Sequence, residues 1–165
     1  LAGLQGGRHG GDTERVAVVV GEVETVGGVR SAVAARLRRG ELIPGFGHPL
    51  YPAGDPRARL LLDLVEKEFA GETAVAAVQS LIQVVAEATG KLPTVDLGLV
   101  ALAQAARLPV GTPLALFALG RTAGWLGQAI EQYKDDQLIR PRARYVGKRP
   151  DDLDDSESAW LGNVR

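Results

Sequence analysis

A glycine- and proline-rich stretch, residues 43–57, constrains the fold of this chain more than any other feature. It reads Ile-Pro-Gly-Phe-Gly-His-Pro-Leu-Tyr-Pro-Ala-Gly-Asp-Pro-Arg. Prolines 49, 52 and 56 fix φ and disfavour the helical conformation of the residue before them, so they hold this segment as an extended loop. Gly45 and Gly47 favour a close approach of the backbone to a bound molecule. The helical patterns of the chain lie before and after this loop.

On both sides of the loop, apolar residues recur at helical spacing between glycines and prolines that end each run. The predicted helices span about 12–26, 29–38, 55–69, 73–89, 95–106 and 113–134. Four valines of the first helix are expected in the core, and the third helix is expected to point Leu60, Leu61, Leu64 and Val65 inward. The first half of the last helix is apolar nearly all round, which predicts burial on most of its faces. The sequence predicts an all-α fold.

Composition excludes several classes of function. The net charge of −1 and the 24% of charged residues give no electrostatic case for a nucleic acid or an anionic membrane as partner. The chain has no cysteine, and its two histidines lack the spacing of metal ligands, so no metal site is expected. No apolar run approaches the roughly 20 residues of a membrane span. With no recognisable signal peptide, a cytoplasmic protein is expected.

Two arginines and a histidine favour a ligand that carries carboxylates. The loop presents His48 and Arg57, and Asp55 is expected to cap the helix that Arg57 opens. Arg121 lies in the most apolar helix, where a buried guanidinium must meet an anion, either a protein carboxylate or a ligand. The neighbouring glycines, Gly120 and Gly124, favour the ligand because they let another surface approach closely.

Asp96 and His9 are interpreted from their positions near helix starts. Asp96 opens an apolar helix and could simply be its N-cap, or it could face a cavity, where desolvation makes a carboxylate a stronger base. His9 lies in a glycine-rich segment before a helix start, where the helix dipole disfavours a charged imidazole and suits a neutral hydrogen-bond donor.

The loop from Gly45 to Ala58 (Gly-Phe-Gly-His-x-x-Tyr-x-x-x-Asp-Pro-Arg-Ala) closely resembles the signature loop of the citrate synthase family. The resemblance implies a role for each candidate. In the His-Gly-Gly motif, His9 would hydrogen-bond the acetyl oxygen of acetyl-CoA and stabilise its enol form. His48 would polarise the ketone of oxaloacetate, and Asp96 would remove the methyl proton of acetyl-CoA.

The same resemblance assigns the arginines and the coenzyme A contacts. Arg57, Arg121 and Arg140 match three arginines that clamp the substrate carboxylates, and Arg140 would reach into the site of the neighbouring subunit of a homodimer. Coenzyme A would be a co-substrate, carried as a thioester, and not a permanently bound cofactor. Its adenine pocket would be lined by backbone within residues 42–47, at Leu42, Ile43, Gly45 and Gly47.

The resemblance reaches about residue 146 but covers well under half of a family member. In family terms, residues 1–106 would be the small domain and residues 107–146 the end of the large domain, followed by a polar tail, 147–165, expected to be disordered. The apolar surface of residues 114–130 would then require a partner or the segments that are not matched.

The resemblance implies a condensation of acetyl-CoA, or a related acyl-CoA, with oxaloacetate that gives citrate and coenzyme A. Two alternatives remain open. One is a non-catalytic module that senses citrate or coenzyme A, or a truncated paralogue that associates with a complete subunit. The other is 2-methylcitrate synthase or citryl-CoA lyase activity, which would use the same residues.

Overall fold

Six α-helices make up most of the computed structural model, which describes residues 12–25, 28–138, 140 and 146. They are α1 (Asp12–Thr25), α2 (Val29–Arg38), α3 (Pro56–Glu68), α4 (Thr73–Thr89), α5 (Val95–Ala105) and α6 (Thr112–Asp135). Their bounds agree with the sequence prediction to within one residue at each end. Within the described ranges, pairing between extended segments is limited to isolated bridges, so the all-α prediction is confirmed.

Helix α5 lies at the centre of the core, where it packs against α1, α3 and α4. The valines of α1 contribute one wall, and all four that the sequence placed in the core are buried: Val16, Val19, Val20 and Val23. Leu81 and Val85 of α4 close another side. Aliphatic side chains of moderate size therefore build the core, as expected for a chain in which aromatic residues make up only 5%.

The start of α3 follows the capping rules. Asp55 has extended backbone angles, and its carboxylate accepts a hydrogen bond from the backbone N–H of Arg57 at 3.0 Å. Pro56 occupies the first turn, where a missing N–H costs nothing. The prediction of Asp55 as the N-cap is confirmed.

The prediction that four residues of α3 point inward was partly wrong. Leu60 is 61% exposed and Leu64 is 46% exposed, whereas Val65 is buried. The buried positions Ala58 and Val65 lie seven residues apart, close to two helical turns, and define the inner face. At 100° per residue, Leu60 and Leu64 fall well outside that face, whereas Leu61 lies on it.

Helix α6 differs most from its sequence prediction. It has no buried residue among those described, and Leu119, Leu126 and Arg121 are all exposed. The predicted burial of its first half is therefore wrong for the described chain, and so is the buried guanidinium at Arg121. No described helix, α6 included, has both the length and the apolar character needed to cross a membrane.

Contacts within the chain divide it into two units, residues 1–129 and 130–165. The first holds the helical core. In the second, α6 continues to Asp135, and the side-chain amide of Gln132 donates a hydrogen bond to the carbonyl oxygen of Gln137. Arg140 is exposed. His9 and the tail predicted to be disordered, 147–165, lie outside the described residues.

Candidate active site

Two loops, around residues 45–47 and 92–94, are hydrogen-bonded to each other, and each leads into a helix. The amide of Gly47 donates to the carbonyl of Leu92 at 2.8 Å, and the amide of Thr94 donates to the carbonyl of Gly45 at 2.9 Å. Between these bonds, Phe46 and Pro93 form an antiparallel bridge. Because one loop leads toward α3 and the other into α5, this pairing brings the start of α5 to the proline-rich loop.

The glycines of the loop are explained by packing within the chain. Gly45 has a φ of +83°, and a Cβ there would lie 2.9 Å from a methyl group of Val16 and 3.3 Å from Cβ of Leu97. Gly47 has a φ of +80°, and its Cβ would lie 3.1 Å from the side chain of Lys91. The sequence had suggested space for a ligand. In the structure, side chains of the protein occupy that space.

His48 is held by its own loop. Its Nδ1 accepts a hydrogen bond from the backbone N–H of Leu50 at 3.1 Å, and its ring lies 4.9 Å from the ring of Tyr51, centroid to centroid. A backbone amide can only donate, so Nδ1 must carry a lone pair. In the neutral imidazole the proton is then on Nε2, which makes Nε2 a hydrogen-bond donor.

Arg57 is fixed by Asp55 and Tyr51. Its Nε and Nη2 donate to the two oxygens of Asp55 at 2.9 and 2.8 Å, and its guanidinium carbon lies 5.3 Å from the centre of the Tyr51 ring. Two of the five N–H bonds of the guanidinium are used in this fork, so others remain available for a second carboxylate. The side chain of Arg57 is 48% exposed, whereas that of Asp55 is fully buried.

The electrostatics of this pair favour both charged forms. Burial works against ionisation of Asp55, but hydrogen bonds from the Arg57 side chain and from the backbone N–H groups of Arg57 and Val95 outweigh it, so its pKa lies below the usual value. The hydrogen bond to Asp55 raises the pKa of Arg57, with smaller contributions from the charges of Asp55, Tyr51 and Asp96. Arg57 is thus a permanent cation within electrostatic range of Asp96.

Asp96 is the second residue of α5 and is 5% exposed. The N-cap of α5 is Thr94, so the interpretation of Asp96 as an N-cap is wrong. The hydroxyl of Thr94 donates to Oδ2 of Asp96 at 3.3 Å. The alternative interpretation required the carboxylate to face a cavity, and Asp96 does line one.

This cavity, of about 790 Å³, brings together four of the six predicted catalytic and substrate-binding residues. They are His48, Arg57, Asp96 and Arg121. The loop supplies the first, and α3, α5 and α6 supply the others. Two cations and a buried carboxylate around one space can hold a dianionic ligand and leave a base beside it.

Arg121 lies beside a glycine one turn further along α6. A Cβ at Gly124 would lie 2.9 Å from Nη1 of Arg121, so the guanidinium lies over this glycine, although the end of so flexible a side chain can move aside. The sequence had indicated that Gly124 permits a close approach, and the group that approaches is the arginine itself. The exposed side chain remains at the wall of the cavity.

Sequence reasoning missed the aromatic wall of the cavity. Tyr51, Phe117 and Trp125 line it together with the four polar residues. Tyr51 could have been found, since it follows His48 by three residues in the same rigid loop. Phe117 and Trp125 stand four residues before and after Arg121 and share its helical face, a signal that the search for charged groups passed over.

The remaining predicted residues are His9, Arg140 and the four residues of the predicted coenzyme A pocket. His9 lies outside the described residues, and Arg140 belongs to the second unit. Ile43 and Gly45 are buried and Leu42 and Gly47 are exposed, and none of these four lines the cavity that contains His48. The proposed roles of all these residues stay predictions.

A family model and a curated protein are similar to most of this chain. A family model described as the C-terminal domain of citrate synthase matches residues 1–142. A putative citrate synthase 2 of Mycobacterium tuberculosis is 38% identical over 155 residues, which are 91% of this chain and 42% of that protein.

Solved structures agree with the sequence comparison. The citrate synthase of Thermotoga maritima superposes with a TM-score of 0.76 at 32% identity, over 89% of this chain and 42% of that one. The citrate synthase of Thermoplasma acidophilum, solved in a ternary complex with carboxymethyl coenzyme A and oxaloacetate, gives a TM-score of 0.75 at 29% identity, over 90% of this chain and 42% of that one. The chain spans about two fifths of the length of these relatives, and it belongs to the citrate synthase family.

Proposed function

We propose that this chain forms the C-terminal catalytic part of an enzyme that condenses acetyl-CoA, or a related acyl-CoA, with oxaloacetate to give citrate and coenzyme A. The observation that carries the proposal is the convergence of His48, Arg57, Asp96 and Arg121 on one cavity. These residues come from a loop and three helices, so their sequence motifs alone did not require them to meet.

Oxaloacetate is a dianion, and the two arginines supply its counter-charges. Arg57 is held by Asp55 while some of its N–H groups remain available, and Arg121 of α6 lines the same cavity. A carboxylate bound in a fork has a fixed orientation as well as a fixed place. The ketone carbon is thereby held for attack from one direction, which supplies much of the advantage of an enzyme over free solution.

Bond formation needs an enol from the thioester and a polarised ketone. Asp96 removes a proton from the acetyl methyl group, while His9 donates a hydrogen bond to the thioester oxygen and stabilises the enol. The methyl carbon then forms a bond with the ketone carbon. As that bond forms, the C=O π bond of the ketone breaks, and its oxygen takes the proton of Nε2 of His48, the nitrogen that the Leu50 amide leaves protonated, to become the hydroxyl of citrate. His48 regains a proton from solvent, and Asp96 releases the one it removed. Water then cleaves the thioester and releases coenzyme A.

The rest of the assembly follows the family. Residues 1–106 form the small domain, with the coenzyme A adenine beside residues 42–47, and residues 107–146 belong to the large domain. Arg140 completes the site of a second subunit in a cytoplasmic homodimer. The exposure of α6 supports this arrangement, because an apolar helix without a buried residue fits a surface that further large-domain segments cover.

The test is thiol release on mixing acetyl-CoA with oxaloacetate, followed with a thiol-reactive dye on the native polypeptide that carries these residues. Asp96→Asn keeps the size of the side chain and removes the base, so kcat is expected to fall by at least about 100-fold. Arg39→Ala is the control, because Arg39 is exposed, pairs with Glu41 and does not line the cavity.

Equal rates in the parent and Asp96→Asn would contradict the proposed mechanism. A native polypeptide that binds oxaloacetate without releasing thiol would contradict catalysis. That result would favour the non-catalytic module.

A further inference from the structure

The start of α5 is capped by the N-cap residue of another helix, Asp55 of α3. The first N–H groups of a helix have no partner inside it, and the residue at the N-cap usually supplies an acceptor. Thr94 occupies that position in α5, but its side chain caps no N–H and instead donates its hydroxyl to Asp96 at 3.3 Å. The N–H of Val95 donates to Oδ2 of Asp55 at 3.0 Å.

The Asp55 carboxylate therefore accepts hydrogen bonds from the starts of both α3 and α5. Its Oδ1 accepts from the backbone N–H and from Nε of Arg57, at 3.0 and 2.9 Å. Its Oδ2 accepts from Nη2 of Arg57 and from the backbone N–H of Val95, at 2.8 and 3.0 Å. Each oxygen takes one bond from the guanidinium and one from a helix start.

We propose that Asp55 is a positioning residue that holds Arg57 and the first turn of α5 in one fixed relation. The inference rests on the proposed function, in which Arg57 binds the keto acid and Asp96 is the base. Because Asp55 caps α5 from outside, the hydroxyl of Thr94 is free of the capping role and orients the carboxylate of Asp96. The buried side chain of Asp55 thus sets the distance between Arg57, which binds the keto acid, and Asp96, which is the base.

The chemistry of the site requires a carboxylate at this position. All the contacts to Asp55 named above come from donors, and an ionised carboxylate is an acceptor at both atoms. An asparagine of the same size would turn its NH₂ toward the Arg57 guanidinium in either orientation, and also toward the backbone N–H of Arg57 or of Val95, so donor would face donor. A serine would still cap α3 but is too short to bridge to α5.

The first arm of the test measures amide hydrogen exchange and does not depend on activity. In Asp55→Ser, the Val95 amide is expected to exchange faster, because its acceptor is gone while the α3 cap remains. The start of α4, which has Glu72 and not Asp55 at its N-cap, is the internal control and should be unchanged. Unchanged exchange at Val95 would overturn the capping claim.

The second arm uses steady-state kinetics on the native polypeptide. Asp55→Asn is expected to raise the KM for oxaloacetate by about 10- to 100-fold, because Arg57 loses its fixed orientation. Thr94→Val is expected to lower kcat by about 10-fold or more with little change in that KM, since only the orientation of the base is lost. Thr73→Val is the matched control, a threonine that opens α4 away from the cavity.

The outcomes separate this inference from the proposed function. A folded Asp55→Asn variant with the KM and kcat of the parent would overturn the positioning role, even if the parent is fully active. A parent that releases no thiol would overturn the proposed function alone, and exchange at Val95 would still decide whether Asp55 caps α5. A Thr94→Val variant that raises KM and leaves kcat unchanged would contradict the assignment of the hydroxyl to Asp96.

Discussion

Helices α5 and α6 are both apolar, yet they have opposite environments. Eight of the 11 residues of α5 are buried. Helix α6 is more than twice as long, at 24 residues, and none of those described is buried. Leu97 in α5 is fully buried, while Leu126 in α6 is 60% exposed. Apolar character alone therefore does not determine whether a helix is buried.

The difference lies in what each helix has beside it. Helix α5 is surrounded by α1, α3 and α4, and its Gly98 lets α3 come so close that a Cβ there would lie 3.0 Å from Cβ of Leu61. In α6, a Cβ at Gly120 or Gly127 would meet nothing within 4 Å. The single glycine of α5 serves a contact within the chain, whereas two of those in α6 face open space. An apolar surface of this kind marks a place where another segment or protein packs.

The largest expected effect comes from truncating a leucine in each helix. Leu97→Ala opens a cavity in the core and should lower the free energy of unfolding by about 2–5 kcal/mol. Leu126→Ala removes a side chain that is already in water and should change it by no more than about 0.5 kcal/mol. Urea unfolding of both variants measures the difference. Equal losses would contradict the contrast between the two helices.

A smaller effect is expected from adding volume at the glycine contacts. Gly98→Val forces apart α3 and α5 and should destabilise the chain by about 1–3 kcal/mol. Gly127→Ala gains helix propensity in open space and should stabilise α6 by up to about 1 kcal/mol. Thermal unfolding followed by circular dichroism gives the sign for each variant. A stabilising Gly98→Val would mean that the two helices can separate at no cost.

The pH dependence of stability reports on the buried carboxylate of Asp55, which joins α3 and α5. The pKa of Asp55 is lowered in the folded state, so its contribution is fully present above its unfolded pKa of about 4. That contribution is lost as the pH falls through the lower folded pKa. Unfolding free energies measured from pH 7 to pH 2 should fall less steeply in Asp55→Asn than in the parent below about pH 4. Parallel curves would contradict the shift.

Removing an exposed ion pair is expected to change the free energy of unfolding the least. Arg30 and Glu87 join α2 and α4 at 3.0 Å, with side chains that are 73% and 46% exposed. Arg30→Ala should cost less than about 1 kcal/mol, because water and salt screen such pairs. A urea titration at low and high salt checks both the size and the screening. A loss of unfolding free energy as large as that of Leu97→Ala would contradict the small contribution expected of an exposed ion pair.

The sequence predicted the parts of the fold that depend on neighbouring residues. Glycines and prolines delimit the helices, so their bounds could be read directly, and the cap at Asp55 follows from the residues beside it. The bond from Val95 to Asp55 spans 40 positions and has no local signal. The exposure of α6 was beyond prediction for a related reason, since burial depends on what packs against a helix.

The candidate site was predictable to a similar extent. His48 and Arg57 share one short loop, so their proximity follows from the motif. Asp96 and Arg121 come to the same cavity through the packing of α5 and through α6, which the pattern of a single sequence does not show. Tyr51 is part of the loop motif but was given no role, because what it does is contact other side chains, here the ring of His48 and the guanidinium of Arg57.

The central claim is that this cavity holds a keto acid between two arginines, and calorimetric titration with oxaloacetate tests it most directly. The native polypeptide, Arg57→Ala, Arg121→Ala and the control Arg39→Ala would be titrated under the same conditions. The account predicts that each cavity variant weakens binding by about 10- to 100-fold, while the control binds as the parent does. Binding of equal strength in all four proteins, or none in the parent, would contradict it.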